Sequence, residues 1–303
     1  YNVKLITDDA RHDNVAFHEV IEKSLDQVND RMSTYKPDSE LSLFNTSRET
    51  KPYTFSAMTM DVLDIALQVS EQSEGAFDIT VGPLVNAYGF GPDGFDKVPT
   101  DEEREKLLQR IGYKKLTLHK EKRALGKSQS DIYCDLSAVA KGYAVDLIVD
   151  SLKDIGVESA MVEVGGEVRT IGLNSTQQPW RIGIERPTEG VRELQRAVPL
   201  KDKAMATSGD YRNFRIIDGK RISHTIDPRT GKPIDHGLAS VSVVHDSCAW
   251  ADAYATTLMV LGPEAGLAFA KEHKLAVLFL IHDGENEFKE IMTPGFEALL
   301  GSG

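Results

Sequence analysis

Apolar residues in the first half of the chain recur every three or four positions, the spacing of a helix with one buried face. This pattern predicts helices over about 13–32, over 59–74 with Gly75 as the stop, after Thr100, and from Ser137 to Gly156. Thr100 and Glu103 also form a capping-box pattern, which favours a helix start at that point. The first half is therefore predicted to be rich in helices.

The second half changes to short β-branched runs separated by Gly, Pro and Asn, which are typical of strands. The predicted strands are SAMVEV, EVRTIG, WRIGIE, RAVPL, NFRII, ASVSVV and, near the end, LAVLFLI. Helices are predicted at 249–261 and again after Gly262 and Pro263. Because no repeat or linker divides the chain, we predict an α/β (α+β) fold in which 1–303 form a single domain of two closely packed lobes.

Composition narrows the function classes. The 303 residues are 41% hydrophobic, which is enough to bury a sizeable core. The net charge of -12 repels phosphate backbones and argues against nucleic acid as a partner. No apolar run is long enough to span a membrane. An anionic ligand would therefore have to be bound by a local arrangement of residues.

The segment CDLSAVAKGYAVD, residues 134–146, places polar groups at the start of an apolar helix. If the helix begins at Ser137, the hydroxyl can cap the free amides, and those amides form an anion site near Lys141. Asp135, just before the helix, would then accept a hydrogen bond from a ligand or order the turn. The alternative is a capped core helix with one lysine that reaches solvent.

The segment WADAYATTLMVLG places Asp252 and Thr256 four residues apart, on one face of a helix. A carboxylate and a hydroxyl together suit a hard cation such as Mg²⁺, which takes oxygen ligands and keeps phosphate oxygens in its shell. The alternative is structural: Asp252 complements the helix dipole and Thr256 bonds back to the Asp252 carbonyl. Spacing alone leaves both readings open.

The loop SHTIDPRTGKPI, residues 223–234, is dense in titratable groups around a proline and a glycine. Its His224 is a structural residue or a general base, and Asp227 is a second titratable candidate. TSGDYRN at 207–213 and VEVGGEV at 162–168 add glycines that permit close backbone approach. Neither is a dinucleotide-binding or P-loop fingerprint.

Taken together and in this order, six segments resemble the FAD:protein FMN transferase, or ApbE, family: GAFDITVGPLVNAYGFG (75–91), CDLSAVAKGYAVD, VEVGG, ATSGDYRN, SHTIDPRTGKPI and ADAYATTLMVLG. The resemblance spans essentially the whole chain. It implies an active site between the two lobes and Mg²⁺-dependent transfer of FMN from FAD to a threonine hydroxyl of a flavoprotein, with release of AMP. Two further hypotheses stay open: an FAD pyrophosphatase that yields FMN and AMP, and a non-catalytic flavin-binding protein.

The resemblance also implies site residues. The implied Mg²⁺ ligands are the backbone carbonyl of Ala138 and the side chains of Asp252 and Thr256. The implied FAD contacts are Tyr35, Ala76, Phe77, Asp78, Asp135, Lys141 and Ile226. Lys141 would help to neutralise the pyrophosphate, and the predicted base is His224, with Asp227 and Asp252 as alternatives. Convergence of the two helices on one cation would bring Cys134 near Cys248, as a disulfide or as two free thiols.

Partners and location are likewise expectations from the resemblance. The implied acceptors are threonine-containing subunits of membrane flavin electron-transfer complexes, of the Na⁺-pumping quinone reductase or Rnf type. The chain starts at Tyr1, and the family carries an upstream T-M-G-T-like strand whose methionine touches the flavin. We therefore expect part of the flavin pocket to lie outside the 303 residues. The expected location is the periplasm or the outer face of the cytoplasmic membrane, as a lipoprotein.

Overall fold

The computed structural model describes residues 1–7, 14–91, 98–188, 193–210, 214–217, 220–284 and 287–301. The chain groups into two compact units. The first unit comprises Tyr1–Gln27, Val139–Arg212 and Gly237–Gly303, and the second comprises Val28–Ala138 and Asn213–His236. That 1–303 form a single domain remains a prediction. The last three residues of TSGDYRN, the first residue of the predicted strand NFRII and residue 13 lie outside the described residues.

The described helices are α1 (Asn14–Met32), α2 (Glu40–Thr46), α3 (Ala57–Gln72), α4 (Gly82–Ala87), α5 (Asp101–Leu108), α6 (Ser137–Asp154), α7 (Cys248–Glu272) and α8 (Pro294–Leu300). The described strands are β1 (Asn2–Ile6), β2 (Tyr53–Thr54), β3 (Leu116–His119), β4 (Ala124–Lys127), β5 (Ser159–Val164), β6 (Glu167–Ile171), β7 (Trp180–Glu185), β8 (Leu194–Leu200), β9 (Ala204–Gly209), β10 (Phe214–Ile217), β11 (Lys220–Ser223), β12 (Ile226–Asp227), β13 (Lys232–Pro233), β14 (Leu238–His245), β15 (Ala276–His282) and β16 (Phe288–Met292). Helices dominate the first half and strands the second, as predicted.

The first unit is built on a seven-stranded antiparallel sheet in the order β1-β5-β6-β9-β14-β15-β16. Helix α7 packs along β9 and β14, and β7 and β8 form a separate antiparallel pair. Apolar residues of α6 and of the early turns of α1 bury against β5 and β6. The core that they form includes Phe17, Ile21, Val145, Ile148, Val149, Leu152, Val162 and Ile171.

Helices α6 and α7 approach so closely that one position must be glycine. A Cβ atom on Gly142 would lie 2.3 Å from the backbone oxygen of Cys248, well inside van der Waals contact. Any larger residue would therefore push the two helices apart. The glycine in the KGYAVD part of the motif is thus explained by packing, and it brings the first turns of α7 onto α6.

The second unit contains α2 to α5 and the small sheet β2-β4-β3. The predicted capping box is confirmed at α5, where Thr100 and Glu103 exchange side-chain to backbone hydrogen bonds. Ser56 caps α3, and Glu40 accepts hydrogen bonds from Ser56 and Thr59 in that first turn. A compact apolar cluster of this unit joins Leu84, Tyr88, Ile111 and Ile226.

One predicted helix break is found in the structure, and several short elements were not predicted. The predicted break between two helices at Gly262 is confirmed: both helical segments lie within α7, and Gly262 between them takes φ 76° and ψ -177°, a non-helical conformation suited to glycine. Short elements such as β1, α2, α4, β16 and α8 were not predicted, because a few residues carry too little periodicity.

Cys134 and Cys248 are both buried free thiols, so the alternative without a disulfide is the one found. Within the described residues, no helix combines the length and apolar character needed to cross a membrane.

Candidate active site

Lys141, in the second turn of α6, is held between two carboxylates of the first unit. Its Nζ atom lies 2.9 Å from Oε1 of Glu167 and 3.2 Å from Oδ1 of Asp252. Burial alone would lower the pKa of Lys141, but the charges of Asp252 and Glu167 outweigh it and raise this pKa. The Lys141 side chain is 45% exposed, and the raised pKa keeps its ammonium charged.

Asp252 lies one turn into α7 and is almost completely buried. Its Oδ2 accepts a hydrogen bond from the backbone amide of Gly142 at 3.0 Å, which fixes the carboxylate against α6. This amide and the Lys141 ammonium are the partners of the carboxylate among the described residues. A buried carboxylate that is paired with a lysine, whose stem is flexible, can exchange that partner for another cation.

Glu167 begins β6, directly after a tight turn. Gly165 and Gly166 form this turn with φ values of 64° and 106°, the positive range that two-residue hairpins of type I′ require. The side chain is 5% exposed, and within the described chain its Oε2 atom has no hydrogen-bond partner. Burial and then the charge of Asp252 raise the pKa of Glu167 to about 7, although Lys141 opposes the shift.

A third buried carboxylate, Asp146, holds the first turn of α7 in place. Its two oxygens accept hydrogen bonds from the amides of Cys248 and Ala249, at 2.9 and 3.0 Å, and from Ser247 Oγ at 2.7 Å. Arg169 of β6 lies 2.9 Å away and balances the charge. Asp146 therefore acts as a cap supplied from α6, and it fixes the helix that carries Asp252.

At the start of α6 the hydrogen bonds differ from the expectation. Among the described residues, no hydrogen bond from the free amides to the Ser137 hydroxyl is found. The amide and the hydroxyl of Ser137 both donate to Oδ1 of Asp135, at 2.8 and 2.5 Å. Asp135 precedes the helix and is the better acceptor because it is charged. Of the two roles considered for Asp135, ordering the turn is the one that the structure shows.

The implied flavin contacts in the second unit fall on two kinds of position. Tyr35 is 68% exposed, whereas Ala76, Phe77 and Ile226 are buried. The side chain of Asp78 is occupied, since it accepts hydrogen bonds from the amide and hydroxyl of Thr80 and from the amide of Tyr113. Burial raises the pKa of Asp78, and these hydrogen bonds oppose the shift. Asp78 therefore organises its own loop, and its contact with FAD stays a prediction.

His224 lies just after β11 in the second unit and is half-buried. Its ring meets that of Phe90 edge-to-face, with the ring centroids 6.2 Å apart. The alternative base, Asp227, is engaged by Arg229, whose Nε and Nη2 atoms lie 2.9 and 3.0 Å from its two oxygens. This bidentate pairing occupies both carboxylate oxygens of Asp227. His224 is therefore the better candidate of the two.

Comparison with known proteins gives matches over nearly the whole chain. The model of the ApbE family matches residues 1–279. The chain belongs to the ApbE family. The FAD:protein FMN transferase of Vibrio cholerae is 44% identical over 99% of this chain and 89% of its own length, and that of Escherichia coli K12 is 39% identical over 94% and 82%.

Solved ApbE structures share the fold. The flavin transferase ApbE from Vibrio cholerae gives a TM-score of 0.90 at 43% identity, covering 98% of this chain and 94% of its own. The apo form of the Pseudomonas stutzeri flavinyl transferase ApbE gives 0.89 at 37% identity, covering 99% and 93%. The predicted mixed helix and sheet fold and the membership of an enzyme family are thus confirmed.

The residues of this ApbE chain fit a hard cation. Asp252 offers a carboxylate and Thr256 a hydroxyl whose Oγ1 lies 3.5 Å from Ser208 Oγ of β9. Within the described ranges, no three or more His, Cys, Asp or Glu side chains are grouped to hold a metal ion. An ion on Asp252 and Thr256 would need further oxygens, which suits Mg²⁺ because it retains water and phosphate ligands. The carbonyl of Ala138 as a third ligand remains a prediction.

Sequence reasoning did not single out Glu167, Asp146 or Ser208 as functional residues of this ApbE chain. Asp146 had a visible signal, since it is charged but lies among Val145, Ile148 and Val149 on the buried side of α6. Glu167 and Ser208 had none, because strand pairing decides which of their neighbours they meet.

Proposed function

We propose that this ApbE protein transfers the FMN part of FAD to a threonine hydroxyl of a flavoprotein and releases AMP. In this reaction the threonine oxygen attacks the FMN phosphorus, and the bond from that phosphorus to the AMP oxygen breaks. The hydroxyl proton passes to a base, and FMN ends in a phosphoester link. The observation that carries the proposal is the Lys141, Asp252 and Glu167 cluster in a chain whose curated relatives are named FAD:protein FMN transferases.

Each group near Lys141 in the sequence motifs has a proposed role. Asp252 and Thr256, with the Ala138 carbonyl, would hold Mg²⁺, which when bound neutralises the pyrophosphate and polarises the phosphorus. Lys141 would contact a phosphate oxygen, for which its charged ammonium is suited. Asp146 would keep α7 in register, so that Asp252 stays opposite Gly142.

The proposed base is His224, and Tyr35, Ala76, Phe77, Asp78, Asp135, Lys141 and Ile226 are the proposed FAD contacts. An imidazole changes charge near neutral pH and can accept a proton from a hydroxyl. The occupied carboxylate of Asp227 supports this choice. Asp252 is less suited to the task, because the proposed cation would occupy its carboxylate.

The acceptor class and the location are proposed from family membership. We propose that the acceptors are threonine-containing subunits of membrane electron-transfer complexes, of the Na⁺-pumping quinone reductase or Rnf type. The modification would then take place in the periplasm or on the outer face of the cytoplasmic membrane, with the enzyme held there as a lipoprotein. The support for both statements is the resemblance of the sequence motifs to the family.

The test is to mix the 303-residue chain with FAD, Mg²⁺ and an acceptor domain that contains the threonine. Covalent FMN is detected by fluorescence in a denaturing gel and by the mass of the acceptor. We expect a labelled acceptor, and we expect labelling to vanish with EDTA or when the threonine is changed to alanine. These controls separate metal-dependent esterification from tight but non-covalent binding.

Two other outcomes would contradict the proposal. Free FMN and AMP beside an unlabelled acceptor would indicate an FAD pyrophosphatase, in which water replaces threonine as the nucleophile. FAD that binds but stays intact would indicate a flavin-binding protein without turnover.

A further inference from the structure

Glu167 is adjacent to the proposed metal site, yet the mechanism above gives it no task. Its Oε1 atom contacts the Lys141 ammonium at 2.9 Å, and its buried Oε2 atom has no hydrogen-bond partner among the described residues. A half-paired buried carboxylate is costly, so some other state of the site should use its free capacity.

The conflict at Asp252 indicates what this state is. In the structure the Lys141 ammonium lies 3.2 and 3.3 Å from the two carboxylate oxygens of Asp252. A divalent cation on the same carboxylate would repel this ammonium at close range. Metal binding therefore requires that Lys141 withdraw from Asp252 while staying near enough to meet an anionic substrate.

We propose that Glu167 is a positioning residue that holds Lys141 when a cation takes its place on Asp252. Glu167 already binds the ammonium, and its free oxygen can accept a second hydrogen bond when Lys141 leaves Asp252. The Gly165–Gly166 turn and the strand pairing of β6 fix the side chain beside Lys141. The inference rests on the proposed function in one respect, which is that Asp252 binds the metal.

The proposal is tested by a double-mutant cycle that measures metal binding and not activity. The probe is Mn²⁺, which like Mg²⁺ takes oxygen ligands and whose free ion is counted by its EPR signal. It is titrated into the full chain without FAD, for the wild type, Glu167→Gln, Lys141→Met and the double variant. Glu290→Gln is the matched control, because Glu290 pairs with Arg196 in the same unit and does not contact Lys141.

In Glu167→Gln, Asp252 is the one carboxylate left to pair with Lys141, so the ammonium competes with Mn²⁺ for Asp252. We therefore expect Mn²⁺ binding to weaken by about tenfold. In the Lys141→Met background the same change should have little effect, because no ammonium remains to be held. Glu290→Gln should bind as the wild type does. Melting temperatures of all variants show whether a loss of binding comes from loss of the fold.

Three results would overturn the proposal. Unchanged binding in Glu167→Gln would mean that Lys141 needs no second carboxylate. Equal weakening in both backgrounds would mean that Glu167 acts on the cation directly and not through Lys141. If the wild type binds no Mn²⁺, the assignment of Asp252 as a metal ligand is overturned as well. If the wild type binds Mn²⁺ and Asp252→Asn does not, that assignment stands, and the other variants test Glu167 separately.

Discussion

Two lysines, one in each unit, show how the partners of a charged side chain decide its use. Lys127 of the second unit is 3% exposed, and its Nζ donates to the carbonyls of Phe44 and Ser47 at 3.0 and 2.7 Å. Lys141 of the first unit is half-exposed and faces two carboxylates. Burial lowers the pKa of Lys127, whereas the carboxylates raise that of Lys141.

The two sets of partners indicate which of the two lysines could bind a ligand. The partners of Lys127 are backbone carbonyls at the end of α2, and the Phe44 ring lies 4.6 Å from the ammonium, so this lysine completes a fixed arrangement. The partners of Lys141 are charges that a metal ion or a phosphate could replace. A buried lysine on carbonyls is thus structural, and an accessible lysine between carboxylates is a candidate for ligand binding.

The largest loss of activity is predicted for a change of Asp252, the carboxylate that pairs with Lys141. Changing Asp252→Ala removes the charged side chain that we propose as a metal ligand, so Mg²⁺-stimulated flavin transfer should fall on the order of 10³-fold. Steady-state labelling of the acceptor against Mg²⁺ concentration measures it. The control is Asp246→Ala, which removes an exposed carboxylate paired with Lys203 near the start of α7. Full turnover in Asp252→Ala would refute the assignment of the metal.

The second prediction concerns His224 and tests whether the second unit contributes a catalytic group in addition to its structural lysine. If His224 is the base, His224→Ala should lower kcat by about 10²-fold with little change in the affinity for FAD. Single-turnover labelling and a fluorescence titration with FAD separate the two quantities. His282→Ala is the control, since that ring also packs on a phenylalanine, Phe288, at 5.2 Å. Weaker FAD binding without a loss of kcat would make His224 a binding residue.

These residues also show what the sequence could predict. Lys141 was identified as a charged residue near the start of an apolar helix and Asp252 by its spacing from Thr256, and the structure brings the two together. Helices α1, α3, α5 and α6 followed from periodicity and caps. The partner of Lys141 on β6 could not be predicted, because the meeting of Glu167 with α6 depends on tertiary packing. Lys127 had no sequence signal for its burial, since lysines at strand ends are normally solvated.

The weakest effect is predicted for a change of Lys127, and it concerns stability. Lys127→Met keeps the volume of the side chain but leaves the carbonyls of Phe44 and Ser47 without their donor, which should cost about 2 kcal/mol of unfolding free energy. The penalty is limited because the variant no longer buries a charge. Urea unfolding measures it, with the exposed Lys122→Met as control. Flavin transfer by the folded variant should be unchanged, because the partners of Lys127 among the described residues are the carbonyls that end α2 and the Phe44 ring. If Lys127→Met were as stable as the wild type but inactive, the two lysines would have exchanged roles, and the kind of partner would no longer distinguish a structural lysine from a ligand-binding one.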